Sequence, residues 1–169
     1  MAQLHSNLRK LWEQQLPHIY RAKGAQLMHK VIIADDSSIV RAGLRMLLGS
    51  CGAYTVMGEA ANGSEAIEHA LSFVPDLLLT DLKMPGIPII DGAKALKSIY
   101  PQMKIIILTA FDESEDIYRA FQAGVDGYLM KDTSPEVILS TIDEVMKGIS
   151  YFQCKEFGTY PVSKRSSLI

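Results

Sequence analysis

The chain has 169 residues, of which 48% are hydrophobic and 21% charged, and its formal net charge is −2. This length accommodates one domain with a proper hydrophobic core plus tails. The charge lacks the basic bias of proteins that bind nucleic acid or anionic membranes directly, and no apolar run approaches the ~18–20 residues that span a bilayer. Cys51 and Cys154 lack metal-ligand spacing, and no secretory signal precedes them, which predicts a cytoplasmic protein with reduced thiols.

Short apolar runs alternate with longer helical patterns from Lys30 onward. The runs are bounded by charged or turn residues, which predicts buried strands. The segments between them carry apolar residues at helical spacing and end at glycine or proline. The predicted strands are residues 31–34, 54–57, 76–80, 104–109 and 127–130, and the predicted helices are 37–49, 63–73, 88–100, 116–123 and 134–146.

Five strand–helix units within about 120 residues predict an α/β fold with a doubly wound, five-stranded parallel sheet. The connections of such a sheet are right-handed, and its ligands bind outside the carboxyl ends of the strands. Several polar residues come directly at or after those ends, and we expect them to converge on one edge: Asp35, Asp36, Asp81, Thr109 and Lys131.

Three of these residues are carboxylates, and they repel one another unless a cation compensates their charge. Mg²⁺ prefers hard oxygen ligands and binds through one or two carboxylates together with waters and phosphate. The two charges of Mg²⁺ and the ammonium of Lys131 balance the three carboxylates. The sequence therefore predicts an Mg²⁺ site formed by Asp35, Asp36 and Asp81.

With metal bound, a carboxylate oxygen of Asp81 can attack an incoming phosphoryl group. The metal and Lys131 then neutralise charge on the phosphoryl oxygens, and Thr109 donates its hydroxyl to one of them. The backbone N–H of Ala110 is a further predicted donor, and the backbone carbonyl of Lys83 a further predicted metal ligand.

Each of these residues also has an ordinary structural interpretation. An acidic pair after a strand often caps a helix, Asp81 fits a turn before Met84, and Lys131 fits a solvated cation before a loop. Their shared place after strands, on one edge, favours the functional interpretation.

Four motifs together resemble the receiver domains of two-component response regulators, from about Met28 to Gly148. They are Ala34-Asp35-Asp36, the run from Leu79 through Asp81 to Pro85, Leu108-Thr109-Ala110, and the run from Ala123-Gly124 through Tyr128 to Lys131. The resemblance implies a flavodoxin-like sheet with strand order 2-1-3-4-5.

The resemblance also implies roles for individual residues. Asp35 and Asp36 hold Mg²⁺, Asp81 accepts the phosphoryl group, and Lys131 bonds the phosphate. Thr109 reorients toward the phosphoryl group, and Tyr128 is the aromatic switch residue that follows it inward. The implied donor is a sensor histidine kinase or a phosphotransfer protein, and a homodimer on phosphorylation is a further expectation.

Three segments depart from the family pattern. Lys131-Asp132 resembles the NarL/LuxR subfamily, whose members usually carry a helix-turn-helix domain, yet residues 151–169 show little helical periodicity. We therefore divide the chain into a leader (1–27), a receiver (28–148) and a tail (149–169) without a DNA-binding domain. The receiver either acts alone or belongs to a longer regulator. Leu4, Leu8, Leu11 and Leu16 predict a short helix in the leader, without a dedicated role.

The third departure is the spacing of residues 84–92. We expect no insertion there, with Pro88 in the first turn of the third helix. This places Gly92 inside that helix, where glycine destabilises the helix by ~1 kcal/mol relative to alanine.

Competing functions remain open at this point. A docking module that is never phosphorylated is disfavoured by the intact set of site residues. An Mg²⁺-dependent aspartyl-phosphate phosphohydrolase needs a second carboxylate two residues after its nucleophile, where this chain has Lys83. A flavin-binding protein would have its phosphate repelled by Asp35 and Asp36. We expect a phosphoacceptor with slow autodephosphorylation rather than a classical enzyme, with Lys83 and Phe111 flanking the site.

Overall fold

The computed structural model describes residues 28–154 and the backbone of residues 158–162. The helix predicted in the leader lies outside the described residues. The strands are β1 (His29–Ala34), β2 (Tyr54–Ala60), β3 (Leu77–Thr80), β4 (Lys104–Thr109), β5 (Gly127–Met130), β6 (Ser150–Cys154) and β7 (Gly158–Val162). The helices are α1 (Ser38–Ser50), α2 (Gly63–Phe73), α3 (Ile89–Ile99), α4 (Ser114–Gln122) and α5 (Pro135–Met146).

The strands form one sheet in the order β2-β1-β3-β4-β5-β6-β7. The first five strands are parallel in the order 2-1-3-4-5, which confirms the predicted doubly wound, flavodoxin-like sheet. β6 continues the sheet parallel to β5, and β7 is antiparallel to β6. Sequence alone treated residues 149–169 as a tail, so these two strands are an addition to the predicted fold.

Side chains on the two faces of the sheet form separate apolar clusters. On one face, Leu48 of α1 and Ile142 of α5 pack against the strands. On the other face, Ala70 of α2, Leu96 of α3 and Ala120 of α4 do the same. The sheet therefore lies between two helical layers.

Helix starts follow the local sequence. The side chains of Ser37, Asn62 and Ser134 cap α1, α2 and α5 by accepting hydrogen bonds from backbone N–H groups of the first turns. Among the described residues, none of the helices is both long and apolar enough to span a membrane.

Gly92 lies inside α3, as expected, and Pro88 immediately precedes that helix. A Cβ atom at Gly92 would lie 2.4 Å from Cδ1 of Ile67 on α2. α2 and α3 therefore approach closely at this position, and the glycine is explained by packing.

Candidate functional site

Three carboxylates meet at the carboxyl ends of β1 and β3. One carboxylate oxygen from each of Asp35, Asp36 and Asp81 lies within 4.8 Å of the others. Asp35 and Asp81 are buried, with 1% and 5% of their surfaces exposed, whereas Asp36 is exposed. The backbone N–H of Asp81 donates to the carbonyl of Ala34 at 2.7 Å, which holds the two strand ends together.

The loop after β1 is fixed by hydrogen bonds to the side chain and to the backbone carbonyl of Asp35. Its Oδ1 accepts from the backbone N–H of Ser37 at 2.8 Å, and its carbonyl accepts from Nη1 of Arg41 at 2.6 Å. Arg41 in turn pairs with Glu59 of β2 at 3.1 Å. Sequence reasoning did not identify Arg41, because its contact depends on how α1 leans over the loop.

Lys131 brings a cation into this acidic cluster. Its Nζ lies 2.6 Å from Oδ2 of Asp35 and 3.5 Å from Oδ2 of Asp81. Its backbone N–H donates to the carbonyl of Thr109 at 2.8 Å, which ties the end of β5 to the end of β4. Burial opposes the charged form, but the hydrogen bond to Asp35 and the charge of Asp81 outweigh it, so the pKa of Lys131 is raised.

Asp81 is left with one unsatisfied oxygen. Its Oδ1 is buried and accepts no hydrogen bond from the described part of the chain. Burial raises the pKa of Asp81, and the charge of Lys131, the backbone N–H of Leu82 and the hydroxyl of Thr109 oppose this rise. An acidic cluster with one cation and an unsatisfied oxygen fits the hard-oxygen donor set of Mg²⁺.

Thr109 and Tyr128 are linked through the backbone of Phe111. Oγ1 of Thr109 accepts from the N–H of Phe111 at 3.3 Å, and the hydroxyl of Tyr128 donates to the Phe111 carbonyl at 2.9 Å. Thr109 and Tyr128 are both fully buried, while Ala110 between Thr109 and Phe111 is exposed. Burial raises the pKa of Tyr128, so its hydroxyl keeps the proton it donates.

The side chain of Lys83 makes a contact that the sequence did not indicate. Its Nζ pairs with Oδ2 of Asp116 on α4 at 2.8 Å and lies 5.7 Å from the ring centroid of Phe111. Asp116 is 7% exposed. This ion pair joins the loop after Asp81 to the first turn of α4.

Comparisons with known proteins identify the family of this chain. Residues 31–143 match the response regulator receiver domain family. The response regulator protein VraR of Staphylococcus aureus strain N315 is 38% identical over 124 residues, which cover 73% of this chain and 59% of VraR. The chain therefore spans less than two thirds of this relative.

Solved receiver structures share the fold. The signal receiver domain of the response regulator NarL from Mycobacterium tuberculosis superposes with a TM-score of 0.69 at 31% identity, covering 72% of this chain and 98% of that domain. A second match is the isolated receiver domain of RcsB from Salmonella enterica serovar Typhimurium, solved with the phosphomimetic BeF₃⁻. Its TM-score is 0.68 at 27% identity, and the match covers 74% of this chain and 93% of that domain. The chain belongs to the response regulator receiver family, and it resembles the receivers of NarL/LuxR-type regulators.

Proposed function

We propose that this chain is the phosphoacceptor switch of a His-to-Asp phosphorelay, in which Asp81 takes a phosphoryl group in the presence of Mg²⁺. The observation that carries the proposal is the buried, unsatisfied Oδ1 of Asp81 beside two further carboxylates and the ammonium of Lys131. We take residues 28–148 as the receiver unit.

Asp35, Asp36 and Asp81 are the side chains that would hold the metal, with the backbone carbonyl of Lys83 as a further ligand. Bound Mg²⁺ supplies positive charge to the acidic cluster and to the phosphoryl oxygens. In the metal-free protein the raised pKa of Lys131 preserves its ammonium, the charge that would neutralise the transferred group.

In the transfer, a carboxylate oxygen of Asp81 forms a bond to phosphorus while the bond from phosphorus to the donor breaks. The bonding electrons leave with the donor, which is the imidazole nitrogen of a phosphohistidine or the acetate of acetyl phosphate. The backbone N–H of Ala110 and the hydroxyl of Thr109 donate to phosphoryl oxygens. The product is an aspartyl phosphate.

Rotation of Thr109 toward that phosphate withdraws its Oγ1 from the N–H of Phe111. Because the carbonyl of Phe111 accepts the hydrogen bond from the Tyr128 hydroxyl, movement of Phe111 shifts Tyr128 on β5 and the neighbouring helix α4. A sensor histidine kinase or a phosphotransfer protein in the cytoplasm is the proposed donor. The surface formed by α4, β5 and α5 changes its preference for a partner, including a second copy of the chain.

The direct test is intact mass after incubation with acetyl phosphate and Mg²⁺. We expect wild type to gain one phosphoryl group, Asp81→Asn to gain none, and chelator to abolish the gain. Asp132→Asn, the same change at an exposed aspartate, is the matched control and should behave as wild type. A folded wild-type protein that binds Mg²⁺ yet stays unmodified would contradict the proposal.

Tyr128→Phe tests the relay separately from the chemistry. The variant keeps the buried ring and loses only the hydrogen bond to the Phe111 carbonyl. We expect phosphorylation at close to the wild-type rate, together with a loss of the phosphorylation-induced change in hydrogen exchange of α4. If the exchange response of α4 is unchanged, the path through Tyr128 is wrong.

A further inference from the structure

Strand β6 lies beyond the region that matches the receiver family, yet it is bonded to the strand that carries Tyr128. Tyr151 pairs with Gly127 and Phe152 pairs with Tyr128 in parallel register. The backbone N–H of Tyr151 donates to the carbonyl of Asp126 at 3.0 Å. β6 therefore covers the edge of β5 next to the proposed phosphorylation site.

The side chain of Gln153 joins β6 to the turn after β5. Its Oε1 accepts from the backbone N–H of Met130 at 3.0 Å and from the hydroxyl of Thr133 at 2.9 Å. The turn is closed by the N–H of Thr133 donating to the carbonyl of Met130 at 3.1 Å. Lys131 lies between these two donors, so one glutamine oxygen fixes both sides of the residue that contacts Asp35 and Asp81.

Burial of Phe152 keeps β6 in place. Its side chain is 6% exposed and meets Phe121 of α4 edge to face, with ring centroids 5.5 Å apart. Phe152 belongs to the same apolar cluster as Tyr128. The position of β6 thus depends on α4 and β5, the elements that the proposed switch moves.

We propose that Gln153 is a positioning residue for Lys131, and that docking of β6 and phosphorylation of Asp81 stabilise each other. The inference rests on the proposed function. If the docked strand aims Lys131 at the phosphoryl group, docking raises affinity for that group, and by reciprocity the group must favour docking to the same extent. β6 then carries the phosphorylation state to the end of the receiver.

The first experiment measures BeF₃⁻ affinity in the presence of Mg²⁺, and the rate of phosphorylation by acetyl phosphate. Gln153→Leu removes the acceptor, and we expect both quantities to fall about threefold to tenfold, the effect of losing an ordinary hydrogen bond. Affinity for Mg²⁺ alone should not fall, because the three carboxylates are untouched. Gln153→Glu keeps an acceptor oxygen and should retain most of the wild-type BeF₃⁻ affinity and phosphorylation rate.

Gln102→Leu is the matched control, since Gln102 is exposed and distant in sequence from β6. Urea unfolding checks that each variant is folded. Should Gln153→Leu fail to fold, Thr133→Val removes one of the two donors to Gln153. This variant should lower BeF₃⁻ affinity and phosphorylation rate by a smaller factor.

The second experiment follows the thiol of Cys154 at the end of β6, in a Cys51→Ser background. We expect BeF₃⁻ with Mg²⁺ to slow modification of this thiol about threefold to tenfold, because bound BeF₃⁻ favours the docked strand.

The outcomes separate the two proposals. A wild type that never accepts a phosphoryl group overturns the proposed function. A phosphorylated wild type whose rate and BeF₃⁻ affinity are unaltered in Gln153→Leu overturns the role of Gln153, as does an equal loss in the leucine and glutamate variants. Thiol modification that ignores BeF₃⁻ overturns the coupling to β6.

Discussion

Replacing Asp81 by asparagine should make the metal-free protein more stable while removing its reactivity. The carboxylate is 5% exposed and its Oδ1 has no hydrogen-bond partner among the described residues. An asparagine of the same shape removes the buried charge and adds an amide donor that can bond the carboxylates of Asp35 or Asp36. We therefore expect Asp81→Asn to raise the free energy of unfolding.

The size of the effect follows from opposing terms. With an effective dielectric constant near 20, repulsion between Asp35 and Asp81, whose facing oxygens lie within 4.8 Å of each other, is at least about 3.5 kcal/mol, and attraction to Lys131 at 3.5 Å is about 4.7 kcal/mol. These terms nearly cancel, so burial of the unsatisfied oxygen decides the sign, in agreement with the raised pKa of Asp81. An unsatisfied buried acceptor costs about 1–3 kcal/mol.

Urea and thermal unfolding of Asp81→Asn beside Asp132→Asn, in chelator, provide the assay. A gain of about 1–3 kcal/mol corresponds to about 4–12 °C in Tm for a domain of this size. Added Mg²⁺ should narrow the difference, because it stabilises wild type by about 2.7 kcal/mol at a hundred times its Kd.

The pH dependence follows from the raised pKa of Asp81. A raised folded-state pKa means that the protonated form is favoured, so wild type loses stability as the pH rises through that pKa. The advantage of Asp81→Asn should be largest at neutral pH and shrink as the pH falls through the pKa. If the variant is no more stable than wild type in chelator, or gains no more than Asp132→Asn, the account of Asp81 as a strained carboxylate is wrong.

Three further predictions test the charge of the site and the packing of the helices. Lys131→Met removes the ammonium 2.6 Å from Asp35, and calorimetry should show tighter Mg²⁺ binding together with phosphorylation slowed at least tenfold; weaker Mg²⁺ binding would contradict the charge argument. Gly92→Ala should destabilise the protein by about 1–3 kcal/mol despite the helix propensity of alanine, because its Cβ meets Ile67. Gly43→Ala in α1, where no atom outside the adjacent residues and the backbone of the helix lies within 4 Å of the added carbon, should instead stabilise the protein by about 0.5–1 kcal/mol in the same urea assay.

The sequence predicted the core of the fold because each strand was a continuous apolar run and each helix had an apolar face. It also placed Asp35, Asp81 and Lys131 together, since residues that follow neighbouring parallel strands must meet at one edge. The observed helix boundaries lie within two residues of the predicted ones. Helix α2 matched its predicted range, because its apolar pattern is regular from the Asn62 cap to Phe73.

Contacts that depend on loop paths were not accessible in this way. The pairing of Lys83 with Asp116 requires the turn after β3 to approach α4, and no spacing rule specifies that approach. β6 was missed because it carries adjacent aromatic residues, Tyr151 and Phe152, which bury against opposite faces of the sheet. Such a strand lacks both the continuous run of the central strands and a regular alternation.

The close approach of α2 and α3 has a consequence for how relatives of this chain diverge. Space for a methyl group at position 92 exists only if the side chain at position 67 withdraws. Receivers with alanine at the first position should therefore carry a smaller residue, such as valine or alanine, at the second. The two positions should change together during evolution, while position 43, with open space beside it, should vary independently.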